Sequence, residues 1–374
     1  MSTSVSISTH KTDPVCAHAP GKLILSGEHA VVYGAPALAV AVARYTEVSF
    51  HPVYPSDGLR TVFEQVSKGA FYPLSVLDKL KHSLDQRFDR FMRGELKVQQ
   101  ILQRPDDLII YTLASLAMRM PMPGTSRKHH LPIPGRLESK TDLPLGAGLG
   151  SSAAVIAATI VLYEHLLGRE HSADERFEMV QFCERLQHGK GGAIDAATVI
   201  NGGLNRAEDG VVSQPRIDPE HPLFAARGWY CILHGTPASS TGECVMAVRQ
   251  NHGQDSALWQ AFGTCTNQFQ TALETGESPD DCIRENQHLL EKIGVVPAAT
   301  QRLISQIETA GGAAKMCGAG SVRGAFGGAV LVHQQDAEAM ETLLGKYPDL
   351  RWFPLCIAAK GAALGSVSGG ATCD

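Results

Sequence analysis

Residues 144–154 of this 374-residue chain read PLGAGLGSSAA and run straight into an alanine-rich segment. That segment, 151–167, is predicted to be a helix, with serine at its start and Gly168 as its stop. Three glycines alternate with small or apolar residues, so the backbone can approach a ligand with no Cβ in the way. The helix behind them aims unpaired N–H groups and a partial positive charge into the same space, which makes an anion site. The serine hydroxyls can reach a phosphate oxygen or a metal. Two common phosphate loops are excluded: no Gly-Lys-Ser/Thr closes the segment, and Gly146, Gly148 and Gly150 fall one residue short of the dinucleotide fingerprint. A helix start behind a flexible glycine turn accounts for the same residues without any ligand.

Composition narrows what could bind there. With 44% hydrophobic and 19% charged residues the chain can bury a globular core, and its length suits two domains. A net charge of -5 implies no basic face, so nucleic acid is not an expected partner. The nine cysteines are scattered, odd in number and without a Cys-x-x-Cys pair, which points to a reducing cytoplasm rather than disulfides or a zinc ribbon. The polar first 14 residues lack a signal-peptide core. The longest apolar stretch, near 153–167, is broken by Thr159, Tyr163, Glu164 and His165, so no membrane span is expected.

Apolar, β-branched and aromatic residues at 37–50 predict a strand. Helical spacing predicts helices at 75–91, 107–118 and 173–186, and residues 120–136, with four prolines, read as a loop before a short strand near Leu137. Residues 211–227 carry three prolines and little periodicity, which places a domain boundary there. Beyond it come a strand at 228–234 and helices at 243–250, 258–275, 281–293 and 298–310. Strands at 313–317 and 328–333, a helix at 336–344 and a strand at 351–357 follow. With consecutive helices collapsed, this order is β-α-β-β-α-β, the ferredoxin-like pattern.

Four further segments carry chemistry. Residues 19–34 read APGKLILSGEHAVVYG: Pro20-Gly21 predicts a turn, residues 23–25 a short strand, and Lys22 is a lone cation among apolar neighbours that could simply snorkel to water. Glu28 and His29 could equally be an ordinary polar turn. Residues 184–204, ERLQHGKGGAIDAATVINGGL, pass from a helix end into a glycine-rich turn, where Asp195 could serve as a helix N-cap. In 236–245, TPASSTGECV, Ser240 or Thr241 could cap a helix, and 315–332, KMCGAGSVRGAFGGAVLV, holds a second glycine-rich connection.

The run P-x-G-x-G-L-G-S-S-A at 144–153 resembles the central phosphate-binding motif of the GHMP kinases, which include galactokinase, homoserine kinase, mevalonate kinase and phosphomevalonate kinase. A-P-G-K-x-x-L-x-G-E-H-A-V-V-Y-G resembles the first motif of the mevalonate kinases within that family. Glu184, His188, Gly189, Ile194 and Asp195 match E-x-x-x-H-G-x-P-S-G-I-D, with Gly191-Gly192-Ala193 in place of Pro-Ser-Gly, a change that loosens the turn and removes a serine hydroxyl. Lys315 and Gly318-Ala319-Gly320 match the third motif, which departs at Ser321-Val322-Arg323; Arg323 is expected to face solvent ahead of touching phosphate.

The resemblance implies an α+β, two-domain GHMP-kinase fold. Residues 1–225 would form an α/β ATP-binding domain with a left-handed βαβ unit, and 226–374 a ferredoxin-like domain. ATP would lie against Pro144, Gly146, Ala147, Gly148, Leu149, Gly150, Ser151, Ser152 and Ala153, with Mg²⁺ on Ser152 and Glu184. Asp195 would accept or orient the proton of the attacking hydroxyl, and Lys22 would hold Asp195 and stabilise charge on the γ-phosphoryl group. Glu28, His29, Thr241, Gly318 and Ala319, with Lys22 and Asp195, would line the acceptor pocket. The implied acceptor is mevalonate, in isoprenoid precursor synthesis, and a homodimer is possible. A phosphomevalonate or sugar acceptor, or a non-catalytic ligand sensor on the same fold, remains the alternative.

Overall fold

The computed structural model describes residues 14–53, 56–63, 67–119 and 133–367. The polar N-terminal stretch, most of the proline-rich loop before Leu137, and Cys373 lie outside them. The first half runs β1 (Val15–Ser26), β2 (Ala37–Pro52), β3 (Gly58–Phe63), β4 (Ser67–Pro73), α1 (Leu77–Met92), α2 (Asp107–Arg119) and β5 (Gly135–Thr141). It continues through α3 (Ser151–Leu167), α4 (Ala173–His188), α5 (Ala193–Asn201), β6 (Leu204–Glu208) and β7 (Val211–Ser213). The second half comprises β8 (Trp229–His234), α6 (Thr241–His252), α7 (Ser256–Thr275), α8 (Asp280–Lys292), α9 (Ala298–Thr309), β9 (Ala313–Met316), β10 (Gly328–His333), α10 (Ala337–Gly345), β11 (Arg351–Pro354) and β12 (Ala363–Leu364).

The first sheet runs β12-β1-β2-β5-β3-β4, with β6 and β7 branching from β2. β2 is long enough to serve two neighbours: residues 37–40 pair with β6 and residues 46–52 with β5. β3 and β5 are parallel, joined through β4, α1 and α2, whereas the other strand pairs described are antiparallel. The second sheet is antiparallel in the order β11-β8-β10-β9. Counted within that half, this is 4-1-3-2, the order that a β-α-β-β-α-β chain produces when its two halves interleave. The α+β class and the ferredoxin-like half are therefore as expected.

α3 explains why the two halves of the first core cohere. Residues 153, 154 and 156 through 164 are buried around its whole circumference, so it is a central helix rather than a surface one. Its alanines permit close approach to β1 and β2 on one side, while α2, α4 and α5 pack on the others. A second core lies between the β8–β11 sheet and α7–α9, centred on Ile232, Phe262, Leu290 and Val330.

Two local expectations are corrected. Pro20-Gly21 does not turn the chain. β1 continues through it with a register shift against β2, where Pro20 faces Tyr45 and Gly21 faces Val42. A bulge of this kind bends the strand without ending it. The helix after the glycine turn, the nine-residue α5, begins at Ala193, before Asp195 rather than after it.

Candidate active site

The motifs come together around the glycine loop: residues 146–148, 186–188, 239–242 and 317–320 line one cavity, and the Lys22–Asp195 pair lies beside it, with Lys22 against Gly150. Gly146, Gly148 and Gly150 all have φ near +75 to +80°, a region that other L-residues rarely adopt. A Cβ built at Gly146 or Gly148 would meet nothing within 4 Å, so the space above both is open. Gly150 is the N-cap of α3 and offers no side-chain cap, which leaves the first amides of that helix unclaimed by side chains. The loop faces a cavity of about 390 Å³, closed opposite by Ser240 and Thr241 at the start of α6 and by Gly318 and Ala319 after β9.

Lys22 stands where β1 meets this loop. Its backbone N–H donates to the Leu149 carbonyl at 2.9 Å, tying the strand to the glycine loop. A Cβ at Gly150 would lie 2.6 Å from Lys22 Cγ, and one at Gly21 would lie 2.9 Å from the Leu149 oxygen. Neither position leaves room for a side chain. Lys22 does not snorkel: it is 7% exposed, and its Nζ lies 2.5 Å from Asp195 Oδ1. Burial pulls the ammonium's pKa down, but the charge and hydrogen bond of Asp195, with Glu184 and Glu28 nearby, outweigh it and the net shift is upward.

Asp195 is the third residue of α5, inside its first turn, where a carboxylate also complements the helix dipole. The N-cap itself is Gly192, which displaces the N-cap reading of Asp195. Glu184, in the last third of α4, accepts a 2.8 Å hydrogen bond from Ser152 Oγ at the start of α3. Its other oxygen, Oε2, is buried with no hydrogen-bond partner. Burial, and then the charge of Asp195, push the Glu184 pKa up to about 8, against the opposing pull of Ser152 and Lys22. His188, one turn on and exposed, brings Nε2 to 4.0 Å from Glu184 Oε1.

An orphaned carboxylate oxygen beside a serine hydroxyl fits a hard cation. Mg²⁺ takes one or two protein oxygens and completes its shell with phosphates and water. No group of three acidic, histidine or cysteine side chains placed to hold a metal ion occurs among the described residues. The fit is thus to a metal that arrives with a phosphate ligand rather than to an all-protein cage.

Glu28 and His29 are placed differently from a simple pocket lining. Glu28 Oε1 receives a hydrogen bond from Lys315 Nζ in an ion pair that is essentially free of solvent. His29, at φ 54°, sets its Nε2 3.0 Å from the Ala319 carbonyl. That oxygen can only accept, so Nε2 carries the proton; burial lowers the imidazole's pKa and keeps it neutral. The pair therefore reaches across to the Gly318–Gly320 loop and holds it. Thr241 lines the cavity as the first residue of α6, while Ser240 caps that helix through a reciprocal bond pair with Glu243. Arg323 is exposed and pairs with Glu243 at 2.8 Å, as its solvent-facing reading requires.

Sequence reasoning missed Val98 and Leu102, which line the cavity from the segment before α2 and belong to no motif. It also left Lys315 without a partner, because Glu28 lies 287 residues away. The glycine turn at 191–192 is tight rather than loosened: a Cβ on Gly191 would sit 2.2 Å from the Gln181 carbonyl oxygen.

Comparison with known proteins finds similarity along most of the chain. Residues 117–203 match the family described as the GHMP kinases N terminal domain. The mevalonate kinase of Aeropyrum pernix is 26% identical over 322 residues, covering 84% of this chain and 87% of that protein. The mevalonate kinase of Archaeoglobus fulgidus is 29% identical over 317 residues, covering 83% and 91%. The crystal structure of the Methanococcus jannaschii mevalonate kinase superposes with a TM-score of 0.74 at 18% identity, covering 93% of this chain and 99% of that one. The chain is an ATP-dependent small-molecule kinase whose residues 117–203 match the GHMP-kinase N-terminal domain and which is similar over most of its length to the mevalonate kinases.

Proposed function

We propose that the protein transfers the γ-phosphoryl group of ATP to the 5-hydroxyl of mevalonate, giving 5-phosphomevalonate and ADP. The observation that carries the reading is the Lys22–Asp195 pair at 2.5 Å, packed against Gly150 of the glycine loop. Phosphoryl transfer asks a protein mainly to position a nucleophile and to neutralise charge, and these groups suffice for both. The loop from Gly146 and the first amides of α3 hold the phosphates. Asp195 receives or orients the hydroxyl proton. Lys22 keeps that carboxylate in place and stabilises charge on the transferred group. Ser152 and Glu184 would hold Mg²⁺, which when bound supplies charge neutralisation at the phosphate oxygens.

Mevalonate is favoured as acceptor by the first motif, with Gly27-Glu28-His29 in the mevalonate-kinase pattern, and by the names of the relatives above. Acceptor-dependent ADP release, measured over a panel of mevalonate, phosphomevalonate, galactose and homoserine, tests the assignment. Turnover with mevalonate is expected. Turnover only with another member of the panel replaces the acceptor and leaves the kinase reading intact. ATP binding with no turnover on any acceptor contradicts both.

A further inference from the structure

The two glycines before Asp195 are forced by different neighbours. A Cβ on Gly191 would collide with the Gln181 carbonyl oxygen of α4 at 2.2 Å, so proline, or any residue with a side chain, cannot follow this path. The loop lies directly on α4. A Cβ on Gly192 would meet Asp195 Oδ2 at 2.3 Å and Asp195 Cγ at 3.2 Å. The Asp195 carboxylate thus leans back over its own helix start, into the room that a side chain at 192 would fill, while Oδ1 meets Lys22. Lys22 is accommodated in the same way by Gly150, whose Cβ would lie 2.6 Å from Lys22 Cγ. Each member of the ion pair rests on a glycine.

On the kinase reading above, we infer that Gly192 is a positioning residue for Asp195. Gly191 and Gly192 form a co-adapted pair: the first lets the loop drop onto α4, and the second gives the carboxylate the space it needs to keep Lys22 as its partner from that lower path. The departure at 191–193 preserves the reacting geometry and is no mark of decay.

Gly192 allows a clean test because its backbone is ordinary. At φ -76° and ψ 127° any L-residue is unstrained, and serine is a preferred helix N-cap. A merely structural role therefore predicts that Gly192→Ser is neutral or stabilising in every respect. The positioning role predicts opposed effects: the thermal midpoint stays level or rises, the KM for ATP stays within about twofold, and kcat falls by about 10- to 100-fold. Gly192→Ala should lower kcat similarly. In an Asp195→Asn background, Gly192→Ser should cost nothing more, since the group it displaces is already disabled. A wild-type kcat in Gly192→Ser overturns the inference, as does a kcat loss that persists undiminished in the Asp195→Asn background. If the wild-type protein phosphorylates no acceptor, the kinase reading fails first, and a crystal structure of Gly192→Ser decides independently. Lys22 and Asp195 drawn apart supports the positioning role, and an intact pair refutes it.

Discussion

Asp195 is held by Lys22, with about a quarter of its side chain accessible. Replacing it with alanine should lower kcat by about 10²- to 10⁴-fold while ATP still binds, measured by steady-state kinetics beside nucleotide titration. Glu184 makes a prediction in protons. The ligand-free carboxyl titrates near 8, so at pH 7 it is mostly neutral. A cation bound against it favours the ionised form, so uptake of Mg·ATP at pH 7 should expel close to one proton, and the release should fade above about pH 9. Calorimetry in buffers of different ionisation heat reads this directly, and Glu184→Gln should abolish it. The same shift has a stability consequence. Burial raises the folded carboxyl from 4.5 to about 8, so Glu184 itself should withdraw stability from the ligand-free protein as pH rises between them, read as the difference in pH dependence between the wild type and Glu184→Gln. A wild-type and a Glu184→Gln protein with the same pH dependence across that interval would contradict the raised Glu184 pKa.

At the scale of elements, the tie between the β1–β2 connection and β9 is the Glu28–Lys315 pair. Lys315 is fully buried, so Lys315→Met strands a carboxylate away from water and should cost about 3–5 kcal/mol in denaturant unfolding. Adding Glu28→Gln should recover much of that loss, because the penalty comes from the unpaired charge rather than from the missing bond. A double variant as unstable as the single would contradict this account. The pair also marks where sequence reading stops. α3 is bounded as predicted because its ends are written locally, in the glycine loop and in Gly168. The second half's succession of elements is legible from its hydrophobic periods, and the sheet order then follows from the β-α-β-β-α-β pattern. Lys22 and Asp195 could be paired only through matched motifs, since nothing in the 172 residues between them signals contact. The β3–β4 hairpin and the two-residue β12 escaped notice for a shared reason. They are short, and tertiary partners stabilise them more than their own propensities do.

At the scale of the whole molecule, the chain leaves the half where it spends residues 229–354. After β11 it crosses back: Ala43 N–H donates to the Cys356 carbonyl at 2.8 Å, Ala358 N–H to the Ala41 carbonyl at 2.9 Å, and β12 pairs with β1 through Ala17–Leu364 and His18–Ala363. Leu355 and Ile357 are buried along the way. A chain stopped at Pro354 should lose about 3–6 kcal/mol from those two side chains alone. It should also bare the edge of the strand that carries Lys22, lowering the thermal midpoint and the activity together. An unchanged midpoint would mean that the return segment is dispensable. The division proposed near residue 225 is therefore a division of sheets, with the last strand belonging to the first. The central claim is that a triphosphate on the Gly146–Ser152 loop is attacked by a hydroxyl held at Asp195 and Lys22. Its most direct test is a single-turnover reaction with γ-labelled ATP, Mg²⁺ and mevalonate. The account predicts label on the 5-oxygen of mevalonate with the wild-type protein and almost none with Asp195→Ala. Label released only as inorganic phosphate, or equal transfer by the two proteins, would contradict it.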